Sequence, residues 1–314
     1  MIGKIQLTME DRSFDFIRYL EAKKTVDDRA LNRAVLDQFS KRLKQKTLHA
    51  TDTIRLLELA AGIGTMFERL MEWGIIDCAQ YTLMDSCLEL IAHAKVRLAK
   101  WAHRHQYHIE PLSDMCWRLS RGQQRVDLRF HTGDVFAYLE QQQVDSWDVI
   151  ISHAFLDIID TGLLIPKVLS VLKRDGIFYF SVNFDGETIL LPAIDTQLDE
   201  QIIADYHRVM DQQRPEGRHV TGTRTGRYLL TQIPSAGAKI IAAGASDWVV
   251  FPHDQKYAEQ EDYFLHSIIN TISDTLHEQT SYPIKSWLDE RHQQINRGEL
   301  VYIAHQLDVL GEQS

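Results

Sequence analysis

The segment Leu56-Leu57-Glu58-Leu59-Ala60-Ala61-Gly62-Ile63-Gly64-Thr65 runs an apolar strand into a glycine turn and on into a helix. Two glycines one residue apart let the backbone approach a ligand closely, because a Cβ at either position would fill that space. Asp85 ends a second apolar run about 20 residues later, where a carboxylate accepts hydrogen bonds from both hydroxyls of a ribose. A third run ends in Thr132-Gly133-Asp134-Val135, which sets Asp134 at the same edge as Asp85 if the runs are parallel neighbours. Together these residues describe a nucleoside site. A dinucleotide turn wants another small residue three positions after Gly64, and Phe67 stands there. Glu58 places a carboxylate near the turn, which suits a positively charged ligand better than a pyrophosphate.

The elements that must position these residues follow from periodicity. Short apolar, β-branched runs at Ile54 to Leu59, Gln80 to Met84, Asp127 to His131, Trp147 to Ser152 and Ile177 to Asn183 alternate with helix-like segments. That is the rhythm of a parallel sheet with crossover helices, buried on both faces. Leu88, Ile91, Ala92, Val96 and Ala99 predict an amphipathic helix after Asp85, with Ser86 as its cap. An irregular stretch is expected from Phe184 to Gly222, then a helix near Gly226 to Ala236, a sixth strand at Lys239 to Ala243 rejoined at Trp248 to Phe251, and a last strand at Leu300 to Leu310. The expected architecture is an α/β, Rossmann-like, doubly wound, seven-stranded and mostly parallel sheet. Its expected segments are an N-terminal helical arm (1–50), a nucleoside-binding core (51–184, continued at 226–251 and 299–314) and two lid insertions (185–225 and 252–298).

On the Glu58 to Gly64 turn, Asp85 and the Gly133-Asp134-Val135 segment, about two thirds of the chain resembles the class I S-adenosylmethionine-dependent methyltransferases, in a little-described bacterial branch acting on small molecules. The resemblance implies that Glu58, Ala60, Gly62 and Gly64 cradle the methionine part of the cofactor. Asp85 with Ser86 would bind the ribose, and Gly133, Asp134 and Val135 the adenine. Ser152 and His153 would complete the cofactor site, and Arg29 of the arm would meet the cofactor carboxylate. S-adenosyl-L-homocysteine would be the product. The family's turn into its fifth strand usually carries Pro-Gly or Gly-Gly; here Asp175-Gly176 departs from it.

In such a sheet the reactive methyl lies over the ends of the fourth and fifth strands. His153, whose ordinary pKa lies near neutrality, is a candidate general base, and Asp157 is placed to orient it or the substrate. Phe155, Asn183, Asp185, His207 and His219 are candidate contacts for the methyl acceptor. Trp248, Phe251, Tyr257, Tyr263 and Phe264 could form an aromatic wall, although helix-spaced aromatics are usually core. Asp27, Asp28 and Arg29 read equally as cap and surface charges.

The composition narrows the partners. The 314 residues carry 34 Lys and Arg against 44 Asp and Glu, a net charge of -10 that repels nucleic acid. The three cysteines form no CxxC pair, which fits a reducing compartment and no metal. His103, His105 and His108 do not share one helix face and read as an exposed helix end. No run of about 18 apolar residues appears, so a cytoplasmic monomer or homodimer, away from membranes, is expected.

Overall fold

The computed structural model describes residues 15–49, 53–212, 222–276 and 284–314. Five runs form strands that pair in parallel: β1 (Arg55–Leu59), β2 (Cys78–Asp85), β5 (Gln124–Thr132), β6 (Trp147–His153) and β7 (Leu172–Leu191). In the chain between β2 and β5 comes an antiparallel hairpin of β3 (His108–Ser113) and β4 (Cys116–Arg121), which extends the sheet beyond β5. After β7 come β8 (Lys239–Ala245), β9 (Trp248–Val250) and β10 (Val301–Glu312). The sheet order is β3-β4-β5-β2-β1-β6-β7-β10-β8, with β9 also on β10, and β10 runs antiparallel to β7, β8 and β9. This is a doubly wound, mostly parallel α/β sheet.

Helices α3 (Thr65–Glu72), α4 (Leu88–Arg104), α5 (Val135–Glu140), α6 (Thr161–Val171) and α8 (Thr225–Ser235) connect the strands. The arm is two helices, α1 (Phe16–Ala30) and α2 (Arg33–His49). Leu56, Tyr81 and Val149 turn to one face of the sheet with residues of α2, α3 and α4. Leu57, Ile150 and Phe178 turn to the other with α5, α6 and α8, as strand alternation requires. A third core joins α1, α7 (Thr196–Gln212), α9 (Glu261–Leu276) and α10 (Ile284–Asn296) to β9, β10 and the outer part of β7. Among the described residues no helix is long and apolar enough to cross a membrane.

Several expectations need correction. The sheet has ten strands among the described residues rather than seven: β3 and β4 are additions, and the run at Trp248 is a strand of its own, β9, on β10. The hairpin escaped notice because β3 faces solvent along almost its whole length and carries no apolar run; His108 opens that strand and does not end a helix. The stretch after Asn183 is not irregular. Pairing with β6 stops at Ser181, but β7 continues to Leu191 as a ribbon on β10 alone, and then α7 follows. A two-stranded ribbon lacks the continuous apolar run that marks a buried parallel strand. Within α4 the buried face is Leu90, Ile91, Ala94, Leu98, Trp101 and Ala102, whereas Leu88 and Val96 are exposed. Its N-cap is Cys87, one residue beyond Ser86. Asp175 adopts a φ of 61°, the left-handed conformation for which glycine is the usual choice.

Candidate functional site

The chain leaves β1 for β2 and β5 on one side and returns to β6 on the other. The connections diverge at the carboxyl ends of β1 and β6, and in open α/β sheets that divergence opens a ligand crevice. Backbone strain gathers at this edge. Ala60, Ala154 and Val182, at or near the ends of β1, β6 and the β6-paired part of β7, have φ of 51°, 51° and 56°, costly for residues with a side chain.

The glycine turn has φ of 55° at Gly62 and 79° at Gly64. A Cβ on Gly64 would stand 2.9 Å from Leu98 Cδ1, so this glycine lets α3 and α4 close together. Above Gly62 lies Leu20 of α1, whose Cδ1 would be 3.4 Å from an added Cβ. Asp85 ties the edge together: Oδ2 accepts from the Gly62 N–H and Oδ1 from the Cys87 N–H, each at 2.9 Å. Its backbone carbonyl accepts from the Gly133 N–H at 2.9 Å. Burial pushes the Asp85 pKa up, against the backbone N–H groups of Cys87, Gly62 and Ser86 that lower it. A carboxylate offers about four acceptor positions, so these backbone donors do not exhaust it. Ser86 beside it is exposed. Asp134 is exposed and caps α5 through Oδ1 and the Ala137 N–H at 2.9 Å, while Val135 is buried. The Ser152 and Thr132 hydroxyls, at the ends of β6 and β5, are buried without a hydrogen-bond partner among the described residues.

Glu58 behaves differently from expectation. Its side chain is buried and accepts from the Tyr81 hydroxyl at 2.7 Å, and burial pushes its pKa up to about 8. At neutral pH it keeps its proton, so it stands near the turn as a neutral group.

Beside the turn lies a buried ionic clasp that sequence reasoning missed. Asp27 of α1, read as a cap or surface charge, is 2 % exposed and accepts from four elements. Lys23 Nζ lies at 2.8 Å, Trp248 Nε1 at 2.9 Å, His153 Nε2 at 3.0 Å and Arg69 Nη2 at 3.3 Å. Arg69, fully buried on α3, also donates to Asp28. Burial would raise the Asp27 pKa, but Lys23, His153 and Arg69 together hold it far below the carboxylate range. Arg29 is engaged by Glu261 of α9, with Nη2 to Oε2 at 2.9 Å.

The clasp also fixes His153. A carboxylate only accepts, which places the imidazole proton on Nε2 and leaves Nδ1 to accept from the Ser181 hydroxyl at 2.8 Å. Burial lowers the His153 pKa to about 4, so the ring is neutral with both nitrogens bonded. It holds α1 to the sheet and has no idle lone pair.

The remaining predicted residues separate into two groups. Phe155 and Asp157 follow β6, and the Asp157 pKa is raised by burial. Asn183 is buried, its Nδ2 donating to the Leu307 carbonyl at 2.8 Å and its Oδ1 without a partner among the described residues. Asp185 is tied to Arg227 at the start of α8, accepting from its N–H at 2.8 Å and its Nε at 2.9 Å. His207 lies on α7, not in a loop, with Nε2 3.0 Å from Thr188 Oγ1. His219 lies outside the described residues. Of the aromatic wall, Phe264 is core, Trp248 joins the clasp and Phe251 is exposed. Among the described residues no three of His, Cys, Asp and Glu are grouped to hold a metal ion. Two surface hollows, of ≈ 480 Å³ against Ile194 and Trp287 and ≈ 270 Å³ against Leu43 and Ile75, include no residue of the turn, Asp85 or Asp134.

No protein-family model matches the chain, and no curated protein matches it. Among solved structures it is similar to a Bacillus halodurans protein described as a candidate methyltransferase, at 12% identity over 87% of this chain and 98% of that one, with a TM-score of 0.47. The YcgJ protein of Bacillus subtilis aligns at 14% identity over 87% and 98% of the two chains, with a TM-score of 0.45. A geranyl diphosphate C-methyltransferase from Streptomyces coelicolor, solved with S-adenosyl-L-homocysteine, aligns at 8% identity over 88% and 79%, with a TM-score of 0.40. The fold assignment rests on the strand order and directions of this chain.

Proposed function

We propose that the protein is an S-adenosylmethionine-dependent methyltransferase that methylates O or N of a small polar molecule in the cytoplasm. The observation that carries this reading is the Asp85 knot: one buried carboxylate, bonded to the glycine turn and backed by the strand end that carries Asp134, at the switch point of a doubly wound sheet. Its free acceptor positions and the orphan Ser152 and Thr132 hydroxyls suit a ribose and its neighbours. When bound, the cofactor supplies an electrophilic methyl group on a sulfonium.

The chain's own contribution is positional. The turn from Ala60 to Gly64 lets the backbone come close to the ligand, Asp85 orients the ribose, and α1 with the third core excludes water. Holding acceptor and methyl at near-attack distance supplies on the order of 7 to 11 kcal/mol. With His153 held in the clasp, a proton leaving the acceptor falls to Asp157, whose basicity burial raises.

Asp85→Ala tests the placement. It removes charge-assisted hydrogen bonds and should weaken S-adenosylhomocysteine binding by about 1 to 3 kcal/mol by calorimetry; undiminished affinity would remove Asp85 from the site. One observation favours a second reading, a cofactor-binding module without transferase activity: Leu20 and the compensated clasp close α1 over the turn. Consumption of S-adenosylmethionine in the presence of cell metabolites decides against it.

A further inference from the structure

Beyond Ser181, where pairing with β6 stops, β7, β10 and β9 form a three-stranded antiparallel ribbon. Leu190, Tyr302 and Val250 stand side by side in its register and are buried in the third core. The residues that alternate with them point the other way. Ile189, Ile303 and Val249 make one cross-strand row, and Leu191 and Val301 begin the next. Phe251 continues the alternation just past β9. Ile189, Leu191, Val249 and Phe251 are 39 to 47 % exposed, and Val301 and Ile303 are half-buried. Apolar side chains exposed singly are ordinary, whereas six in register on neighbouring strands form a patch of the kind that marks a contact surface. An antiparallel ribbon with one wet face alternates apolar with polar residues; this one is apolar on both faces, the pattern of a layer covered twice. The third core covers one face only.

We propose that the second face packs against the same face of a second copy of this chain, across a two-fold axis. Two sheet faces interlock through their side chains as the layers of a sandwich do, and a two-fold contact needs a surface that complements itself. The rim meets that need in charge. At one end Glu187, two residues before Ile189 on the same face, is exposed, as are Arg224 and Arg227 beside Asp185. At the other end the His253 ring lies 4.7 Å from that of Phe251, and the exposed Asp254 and Lys256 follow. Both signs stand at each end, so identical rims can pair, whereas the net charge of -10 opposes an anionic membrane. Area sets the strength. Four large side chains exposed to this degree present roughly 300 Å² of apolar surface. A non-obligate interface is a little over half apolar, so the whole contact covers roughly 500 to 600 Å² per copy, near the lower limit for a specific interface. The dimer is therefore reversible. Nothing in this face depends on which ligand the glycine turn binds.

Sedimentation velocity on the full chain, from about 1 to about 100 μM, should show monomer and dimer in equilibrium. Ile189→Lys and Val249→Lys, at exposed positions on two different strands, each bury a charge in the contact. Each should raise the dissociation constant at least about tenfold, with the urea midpoint of the monomer unmoved. Val96→Lys, at a comparably exposed apolar position on α4, should leave the equilibrium as it is. A chain that stays monomeric at the highest of these concentrations, or a dimer indifferent to both ribbon lysines, overturns the proposal. Two further results overturn it by giving the face another occupant. One is a monomer that floats with phosphatidylglycerol vesicles until Ile189→Lys is introduced. The other is a monomer whose urea midpoint drops in both ribbon variants, the mark of a face already covered by its own chain.

Discussion

Glu58 and His153 are buried groups whose pKa values move in opposite directions, each towards its neutral form, and each gives the fold a limb of pH dependence. Glu58 rises from an ordinary 4.5 to about 8 because burial disfavours its charge. The native state keeps a proton that the unfolded chain releases, so stability is lost as pH climbs from about 4.5 through 8. His153 falls from 6.5 to about 4, again through burial. Here the unfolded chain binds the extra proton, so stability is lost as pH drops from 6.5 towards 4. Between pH 6.5 and 8 only the Glu58 limb of these two remains. Glu58→Gln, which keeps an acceptor for the Tyr81 hydroxyl, should flatten that limb by up to about 1.4 kcal/mol per pH unit and leave the acid limb in place. Urea denaturation at several pH values measures both, and an unchanged alkaline limb in the variant would mean that native Glu58 is already ionised. The sequence disclosed Glu58 as a carboxylate near a glycine turn. It could not disclose the proton, because that depends on Tyr81 and on which face of β1 is sealed by α3 and α4.

Among the elements, α1 shows where sequence reasoning stops. Its helical periodicity was legible, and so were the five parallel strands, since apolar runs report burial on two faces directly. The function of its polar stripe was not. An aspartate on an amphipathic helix ordinarily faces water, and Asp27 is buried only because His153 and Trp248, 126 and 221 residues away in sequence, converge on it. Asp185 is the reverse case: its place at a strand end suggested a ligand contact, yet the antiparallel return of the chain brings Arg227 onto it. The clasp makes a firm prediction for α1. Asp27→Ala leaves Lys23 and Arg69 buried without their shared counter-ion and should cost about 3 to 5 kcal/mol in unfolding free energy. It also frees the Trp248 indole N–H, so tryptophan emission should change in the native baseline. A loss below about 1 kcal/mol with unaltered emission would show that the clasp does not hold the helix.

At the level of the whole molecule, the third core works as a cap built around the prolongation of β7 beyond the point where β6 ends. Its helices are joined across the carboxyl edge of the sheet: Arg29 and Thr25 of α1 both bond Glu261 of α9, at 2.9 Å and 2.7 Å, while Leu20 rests over Gly62. A ligand reaching from Asp85 to the glycine turn must therefore meet α1, and whatever settles α1 is passed to α9 through a buried carboxylate. Hydrogen exchange with and without S-adenosylhomocysteine tests this coupling. Slowing is expected in the turn at residues 60–64, at the end of β2, and together in α1 and α9. The β3–β4 hairpin, at the end of the sheet opposite β10, should exchange as before. Protection of the turn without α1 would separate the cap from the cofactor site. A uniform slowing over the whole chain would instead report the general stabilisation that any native-state ligand produces by mass action, and the cap would then have no particular part in holding the cofactor.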